Sequence, residues 1–517
     1  MNPHTILYNG ICFTQGGAPC HWMALEGEHI GAMGYGDAWK ALAREGVKVM
    51  DVKGGSILPG FIDNHFHLVQ TALNRLSVDL STAHSFQEIA AAIEAAGQKN
   101  PERPIHGFRL DVQNLAEKRL PDRADLDAFW NNSPVWLNTY DYQTSILNTY
   151  AMLYYKVPFT QQGIQYAANH MPTGRFDGQA NALLRGNILK KTSDFARLEA
   201  LLRLMPQLAE RGVTTIAAVE GGELYCDRDA EFVQNMIANR RVYLDIELFF
   251  QTLNMDLVQE MGLKRVGGCL YVDGTFHTRT AAISFDYADA PRERGVLKFT
   301  QTQMNDLVEQ CYRRGLQLAL YTVGDRAIEL VLNAHKRAAE LTGTLCLRHR
   351  LEHVELPSPQ HIQTARELEL IFSMQPTYEL VWGGEGKMYE QRLGAHRRDT
   401  NPLRAVLDGG VRICGGTDSD VCQADYLQAI HAAVNHPTPE HRTSVEEAVT
   451  MFTSDGAYAL GLEQDRGRLE PGLRGDIVVL DRDLLAVPPE QLCQVQVMAT
   501  LKNGVVVYDR IGGGFQC

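Results

Sequence analysis

Two histidines one residue apart, His65 and His67, close an apolar run in "SILPGFIDNHFHL". Residues two apart on a β-strand point to the same face, so the spacing predicts that both imidazoles project together from a strand end. Two neutral imidazoles on one face form half of a divalent metal site, for which zinc with nitrogen and oxygen ligands is the usual occupant. A bare His-x-His is also met as two ordinary core or surface histidines, so the rest of the chain must supply the other ligands.

Three further segments supply candidates. "RLEHVE" places His353 at the end of an apolar run, "GGTDSDV" places Asp418 just after another, and "AAVEGGE" places Glu220 after a third. Imidazole and carboxylate groups arriving from separate strands are what a metal-activated water needs. His349 and His353 are four apart, but no Glu follows His349 and the segment reads as a strand. That spacing therefore does not make a helical metalloprotease motif.

To bring such residues to one place, the chain must put several strand ends on one rim. Eight runs read as buried parallel strands: "GFIDNHFH", "VTTIAAVE", "RVYLDIELFF", "VGGCLYVDG", "LQLALYTVG", "RHRLEHVE", "LIFSMQP" and "VRICGGTDSD". They alternate with helical patterns such as "TQMNDLVEQCYRRG" and "DRAIELVLNAHKRAAELTG". The expected fold is α/β, a (β/α)8 TIM-type barrel over 59–456, whose active site lies at the carboxyl ends of the strands. Residues about 70–200 are too many for one crossover and read as an insertion after the first strand. Residues 1–58 and 457–517 are strand-rich, with turns at Asn9-Gly10, read as a hairpin, and Asn503-Gly504. Both ends are expected to pair into one small β-domain.

Composition narrows the class of partner. The 49 basic and 62 acidic residues give a net charge of −13, and no Lys/Arg-rich block stands out. This argues against nucleic acid or an anionic membrane as a partner. The ten cysteines are scattered without a C-x-x-C pair, as suits a reducing compartment. No membrane-length apolar run and no leader-like N-terminus are present, so the expected address is the cytoplasm. The expected partner is a small-molecule substrate, with a homo-oligomer left open.

Six ordered segments, "ILPGFIDNHFHL", "VDGTFHTRTAA", "VGDRAIELVLNA", "RLEHVEL", "GGTDSDV" and "GRLEPGLRGDIVVLD", resemble the amidohydrolase superfamily in its YtcJ-like branch. The resemblance spans nearly the whole chain. It implies a barrel flanked by a β-sandwich and metal-dependent hydrolysis of carbon–nitrogen bonds. It also implies that His65, His67, His353 and Asp418 are metal ligands, and that Asp418 takes the proton of the attacking water.

Departures from that pattern matter as much. Cys269 in "GGCLYVDG" stands where the branch usually has a lysine, often carboxylated to bridge two metals. Tyr321 in "YTVGDR" stands where it usually has a histidine, and Gln143 where another histidine is usual. One ion is therefore favoured over two. Glu220 and Cys269 are candidate substitutes, the second as a thiolate, although a buried cysteine is often only a small apolar residue. His277, Arg279 and Tyr321 are candidate substrate contacts. Arg279 could equally pair with a carboxylate such as Asp273. Asp325 is expected to cap a helix.

These readings predict a hydrolase of a small amide, cyclic amide or N-acyl compound, acting on bonds other than peptide bonds. The competing readings are an amino-heterocycle deaminase and a non-catalytic barrel that has lost part of its metal site.

Overall fold

The computed structural model describes residues 3–18, 20–157, 160–222, 225–239, 242–345 and 347–511. By their contacts the residues form two units, one of 1–66, 205–219 and 235–517, the other of 67–204 and 220–234.

The first unit is built on an eight-stranded parallel sheet that nearly closes into a barrel. Its strands are β1 (Phe61–Phe66), β2 (Val213–Glu220), β3 (Asp245–Phe250), β4 (Arg265–Tyr271), β5 (Gln317–Thr322), β6 (Arg350–His353), β7 (Ile371–Met374) and β8 (Arg412–Gly415). Each lies within one of the eight apolar runs, save that β4 starts one residue ahead of its run, and neighbour follows neighbour in chain order. Arg241, where the third run begins, lies outside the described residues. Runs that are apolar on both faces are buried on both faces, as β7 is along its whole length, and β6 is wholly buried too although Arg350, Glu352 and His353 are polar. The ring closes through a parallel bridge between Phe66 and Ser419, just beyond β8.

The helices between strands follow their sequence signals. Gln301–Arg314 begins at Thr300 with a capping box to Gln303 and buries Met304, Leu307, Val308, Cys311 and Tyr312, a stripe at three- and four-residue spacing. Asp325–Thr342 corrects one expectation: Gly324 is its N-cap, and Asp325 lies in the first turn, accepting from the Ser284 N–H at 2.9 Å. Asp273, just beyond β4, accepts from the N–H groups of Val323 and Gly324 ahead of the helix, while the Arg326 N–H in its first turn donates to the Ala282 carbonyl at 3.1 Å.

The chain ends form two more sheets in the same unit, one of four strands and one of five. Ser56–Pro59 pairs antiparallel with Ile477–Leu480, so the two ends meet. Leu7, Met23, Leu25 and Met50 of the four-stranded sheet share an apolar cluster with Ile57, Ile477, Val479 and Leu501 of the five-stranded one. Asn503-Gly504 makes the expected hairpin, with Lys502 opposite Val505. Asn9-Gly10 does not. Thr5–Tyr8 pairs with Trp22–Glu26 and Lys48–Asp51, whereas Ile11–Cys12 pairs with Ser56–Pro59 in the other sheet. Asn9 adopts a left-handed conformation as expected of a turn, yet the turn carries the chain between sheets because both edges of the first strand are already paired.

The second unit contains a six-stranded sheet over Val78–Asp177 with helices, among them Leu68–Asn74 and Gly178–Lys190. Among the described residues no helix is long and apolar enough to cross a membrane.

Candidate metal centre and active site

The carboxyl ends of β1, β4, β6 and β8 bring His65, Cys269, His353 and Asp418 together. The closure of the barrel sets the first contact. Asp63, inward on β1 with His65, accepts from the backbone N–H groups of His65 and Thr417 at 3.0 and 3.1 Å, from the Thr417 hydroxyl at 2.5 Å and from Tyr426 at 3.1 Å. Burial pushes the Asp63 carboxyl up to about 6, while these donors pull it back. The Asp418 N–H then donates to the His65 carbonyl at 2.9 Å. Gly416 has no room for a side chain, since a Cβ there would lie 2.6 Å from the His65 Cβ.

Around His65 the groups are fully buried. Its Nδ1 lies 2.7 Å from Oε2 of Glu352, whose Oε1 accepts from Arg350 Nε at 2.7 Å. Burial opposes ionisation of Glu352, but Arg350 and His65 hold its carboxyl down to about 2. An ionised Glu352 fixes a proton of His65 on Nδ1, so Nε2 is the nitrogen that faces the opposite side. On that side Cys269 Sγ lies 3.1 Å and Asp418 Oδ1 3.5 Å from Nε2. Burial disfavours charge on His65, yet Cys269, Glu352 and Asp418 together push it up to about 10. The space beside Nε2 thus attracts positive charge.

His353 ends β6 with φ of 70°, and Asp418 follows β8 with φ of 49°, both left-handed and both off the strand alternation. Such backbone strain is concentrated at functional sites. The His353 ring is 1% exposed and neither of its nitrogens has a hydrogen-bond partner among the described residues. Leaving them so is costly in a dry interior. A ligand nitrogen of His353, one of His65 and an oxygen of Asp418 all lie within 4.8 Å of one another. Two imidazoles and a carboxylate at that spacing fit a metal ion, which would satisfy the otherwise orphaned His353. Tyr378, on the short helix after β7, donates its hydroxyl to Oδ2 of Asp418 and stacks its ring on His353 at 5.8 Å and 8°.

The other expected residues fall as follows. Tyr321 packs its ring 4.5 Å from that of His353 and donates its hydroxyl to the Gly274 carbonyl at 3.2 Å. Arg279 makes a paired contact with Asp289, at 2.9 and 2.7 Å, rather than with Asp273, which is taken up by backbone N–H groups. His277 is half-buried, and its carbonyl accepts from Arg392 at 3.2 Å.

In the second unit, His67 is the N-cap of Leu68–Asn74 and stacks on Tyr225 at 4.4 Å. Glu220 is buried there and accepts from the Val69 N–H at 3.2 Å. Burial, reinforced by Asp229, pushes its carboxyl up to about 8, with His67 opposing. Gln143 is half-buried, its N–H donating to Asp141 at 3.1 Å.

Asp63, Glu352 and Tyr378 were not singled out from the sequence. Asp63 carried a signal, being in step with His65 along β1. Glu352 carried one too, since Arg350 and Glu352 alternate inward on β6. Nothing near Tyr378 in "SMQPTYEL" marked it.

A parallel barrel whose strand ends gather two imidazoles, a carboxylate and a thiol defines a metal-dependent hydrolase. The chain belongs to the amidohydrolase family, whose model matches residues 48–508, and within it to the YtcJ-like branch. It is 25% identical to the N-substituted formamide deformylase of Arthrobacter pascens over 94% of this chain and 95% of that one. It is 24% identical to the putative amidohydrolase YtcJ of Bacillus subtilis, over 89% and 90%. Its fold matches an uncharacterized metal-dependent hydrolase of Pyrococcus furiosus with a TM-score of 0.76 at 24% identity, over 93% of this chain and 99% of that one. Membership makes the protein a metal-dependent hydrolase of carbon–nitrogen bonds.

Proposed function

We propose that the protein hydrolyses a small amide, cyclic amide or N-acyl compound, not a peptide, using one zinc ion. The observation that carries this reading is the buried trio of His65, His353 and Asp418, with a His353 ring that has no hydrogen-bond partner among the described residues. The likeness to a formamide deformylase over nearly the full length of both chains supports an acyl–nitrogen bond as the target.

When bound, the metal lowers the pKa of a water and polarises the carbonyl. His65 turns its Nε2 to the centre because Glu352 accepts a hydrogen bond from its Nδ1–H. Asp418 is the proposed base. Tyr378 occupies its Oδ2, leaving Oδ1 on the side of His65 to accept the proton and pass it to the departing nitrogen. His353 is proposed to serve the same centre as a ligand or as a donor to the carbonyl oxygen. His67 and Glu220 are proposed as further ligands from their places in the sequence. Tyr321, Arg279 and His277 are proposed substrate contacts; of these, Arg279 would have to exchange Asp289 for a substrate oxygen.

The two terminal sheets are read as the expected β-sandwich of 1–58 and 457–517, around a barrel of 59–456 with an insertion at about 70–200. The proposed partner is a small molecule, without nucleic acid or membrane, in the cytoplasm.

The test is a screen of N-substituted formamides, N-acyl amines and cyclic amides with zinc-loaded protein, following carboxylate and amine release. His353→Ala and His65→Ala should abolish turnover and lower metal content to below one per chain. Ammonia release from amino-heterocycles, with no amide turnover, would replace this reading by the deaminase. No turnover and no bound metal would leave the non-catalytic barrel.

A further inference from the structure

The thiol of Cys269 lies against the same His65 Nε2 that faces Asp418, and the chain goes to some length to put it there. Between Gly267 and Tyr271, β4 advances four residues while its partner β5 advances two, from Ala319 to Tyr321. A bulge of this kind re-aims a side chain out of the regular alternation. It is made by two consecutive glycines in positive φ, at 95° and 102°. Neither position tolerates a side chain: a Cβ on Gly267 would lie 1.9 Å from the Ala319 carbonyl oxygen, and one on Gly268 2.2 Å from Val219 Cγ1. The residue delivered by the bulge is Cys269, 5% exposed, with Sγ 3.1 Å from the metal-facing Nε2 of His65.

We propose that Cys269 is a thiolate ligand of the metal, making the centre a mixed nitrogen, oxygen and sulfur site that selects zinc, cobalt(II) or iron(II) over magnesium or manganese. The second observation pointing the same way is His353, nine-tenths and more buried and without a hydrogen-bond partner among the described residues, beside the same His65. A soft thiolate added to imidazole and carboxylate donors makes a set that zinc takes readily. On binding, the thiol loses its proton to solvent and the sulfur lone pair forms the bond to the metal, with no change of oxidation state. This inference rests on the metal centre of the proposed function but not on the identity of the substrate.

The experiment is spectroscopic and needs no substrate. The full-length protein, stripped by chelator, is reloaded with cobalt(II). The near-ultraviolet sulfur-to-cobalt charge-transfer band is then recorded for the wild type, for Cys269→Ser and for Cys493→Ser, which changes an exposed cysteine. The expected result is a band in the wild type and in Cys493→Ser that is absent from Cys269→Ser. The Cys269→Ser protein should hold zinc at least about tenfold more weakly in chelator competition, since even groups behind the ligands matter that much. If Cys269→Ser does not fold, X-ray absorption of the wild-type zinc protein decides alone, with one sulfur expected at about 2.3 Å. Bound metal without sulfur in its shell, or a band that survives in Cys269→Ser, overturns this inference and leaves the proposed hydrolysis standing. A sulfur shell with no turnover in the amide screen upholds it while the proposed substrate class falls. Absence of bound metal overturns both.

Discussion

His65 and Glu352 sit 2.7 Å apart, Nδ1 to Oε2, with neither side chain exposed and Arg350 bonded to the far oxygen of the carboxylate. The barrel therefore fixes which nitrogen of His65 is left to face Cys269 and Asp418. Replacing Glu352 by Gln keeps the shape but removes the charge and leaves Arg350 without its carboxylate. Zinc affinity should fall about 10- to 100-fold, the cost usual for an outer partner of a ligand histidine. Competition with a calibrated chelator measures it, and an unchanged affinity would deny Glu352 this role.

Asp418 should behave differently from the histidines. An Asn at this position retains an oxygen for the metal but cannot accept a proton, so kcat should drop by about 10²- to 10⁴-fold while metal content stays near that of the wild type. Turnover assays paired with elemental analysis of the same samples separate the two effects. Loss of metal in step with activity would make Asp418 only a ligand.

Gly416→Ala tests the closure of the barrel. The added carbon meets the Cβ and N of His65 at 2.6 and 2.8 Å, and both belong to a packed strand. A cost of about 1–3 kcal/mol is expected from overpacking. Because the same push separates His65 from Asp418, metal retention should fall with it. Denaturant unfolding and metal analysis give the two readings, and a variant of wild-type stability would show that β8 yields without strain.

Away from the metal, His335 and His349 predict how stability responds to acid. Their rings lie 5.0 Å apart beside Tyr312, and Leu318 N–H donates to His349 Nδ1. Burial pushes His335 down to about 3 from the ordinary 6.5, and burial together with His335 pushes His349 well below it. Both are neutral in the fold, whereas the unfolded chain protonates them below about pH 6.5. Their stabilisation is thus complete above that pH and lost as the pH falls. Each should cost about 2 kcal/mol between about pH 6.5 and 5. Unfolding free energies across that range, compared between wild type and His335→Gln, should show a shallower slope in the variant. Equal slopes would mean that His335 is protonated in the fold.

Much of this architecture was already written in local pattern. The eight apolar runs became the eight barrel strands because residues apolar on both faces have nowhere to go but a sheet covered on both sides. The ligand types at the ends of β1, β6 and β8 were likewise legible, since a barrel places its strand ends on one rim. Pairing was not legible. Asn9-Gly10 is the same dipeptide type as Asn503-Gly504, yet only the second closes a hairpin, because partner strands far away in sequence had taken both edges of the first. The hold of Asp273 on the Val323 and Gly324 N–H groups, and the bond of Arg279 to Asp289 instead, were likewise settled by which groups lie close in space.

The sequence by itself determined the fold class, the family and the residue types available for chemistry. Only the tertiary structure decided their arrangement: that His353 and Asp418 leave the strand alternation through left-handed backbone, that Glu352 rather than solvent holds His65, and that two glycines turn Cys269 toward the imidazole. Strand periodicity is a local property set by neighbouring residues. Which side chains meet across a closed barrel depends on register, bulges and ring closure, where distances of a few ångströms between residues hundreds apart in the chain are fixed by packing.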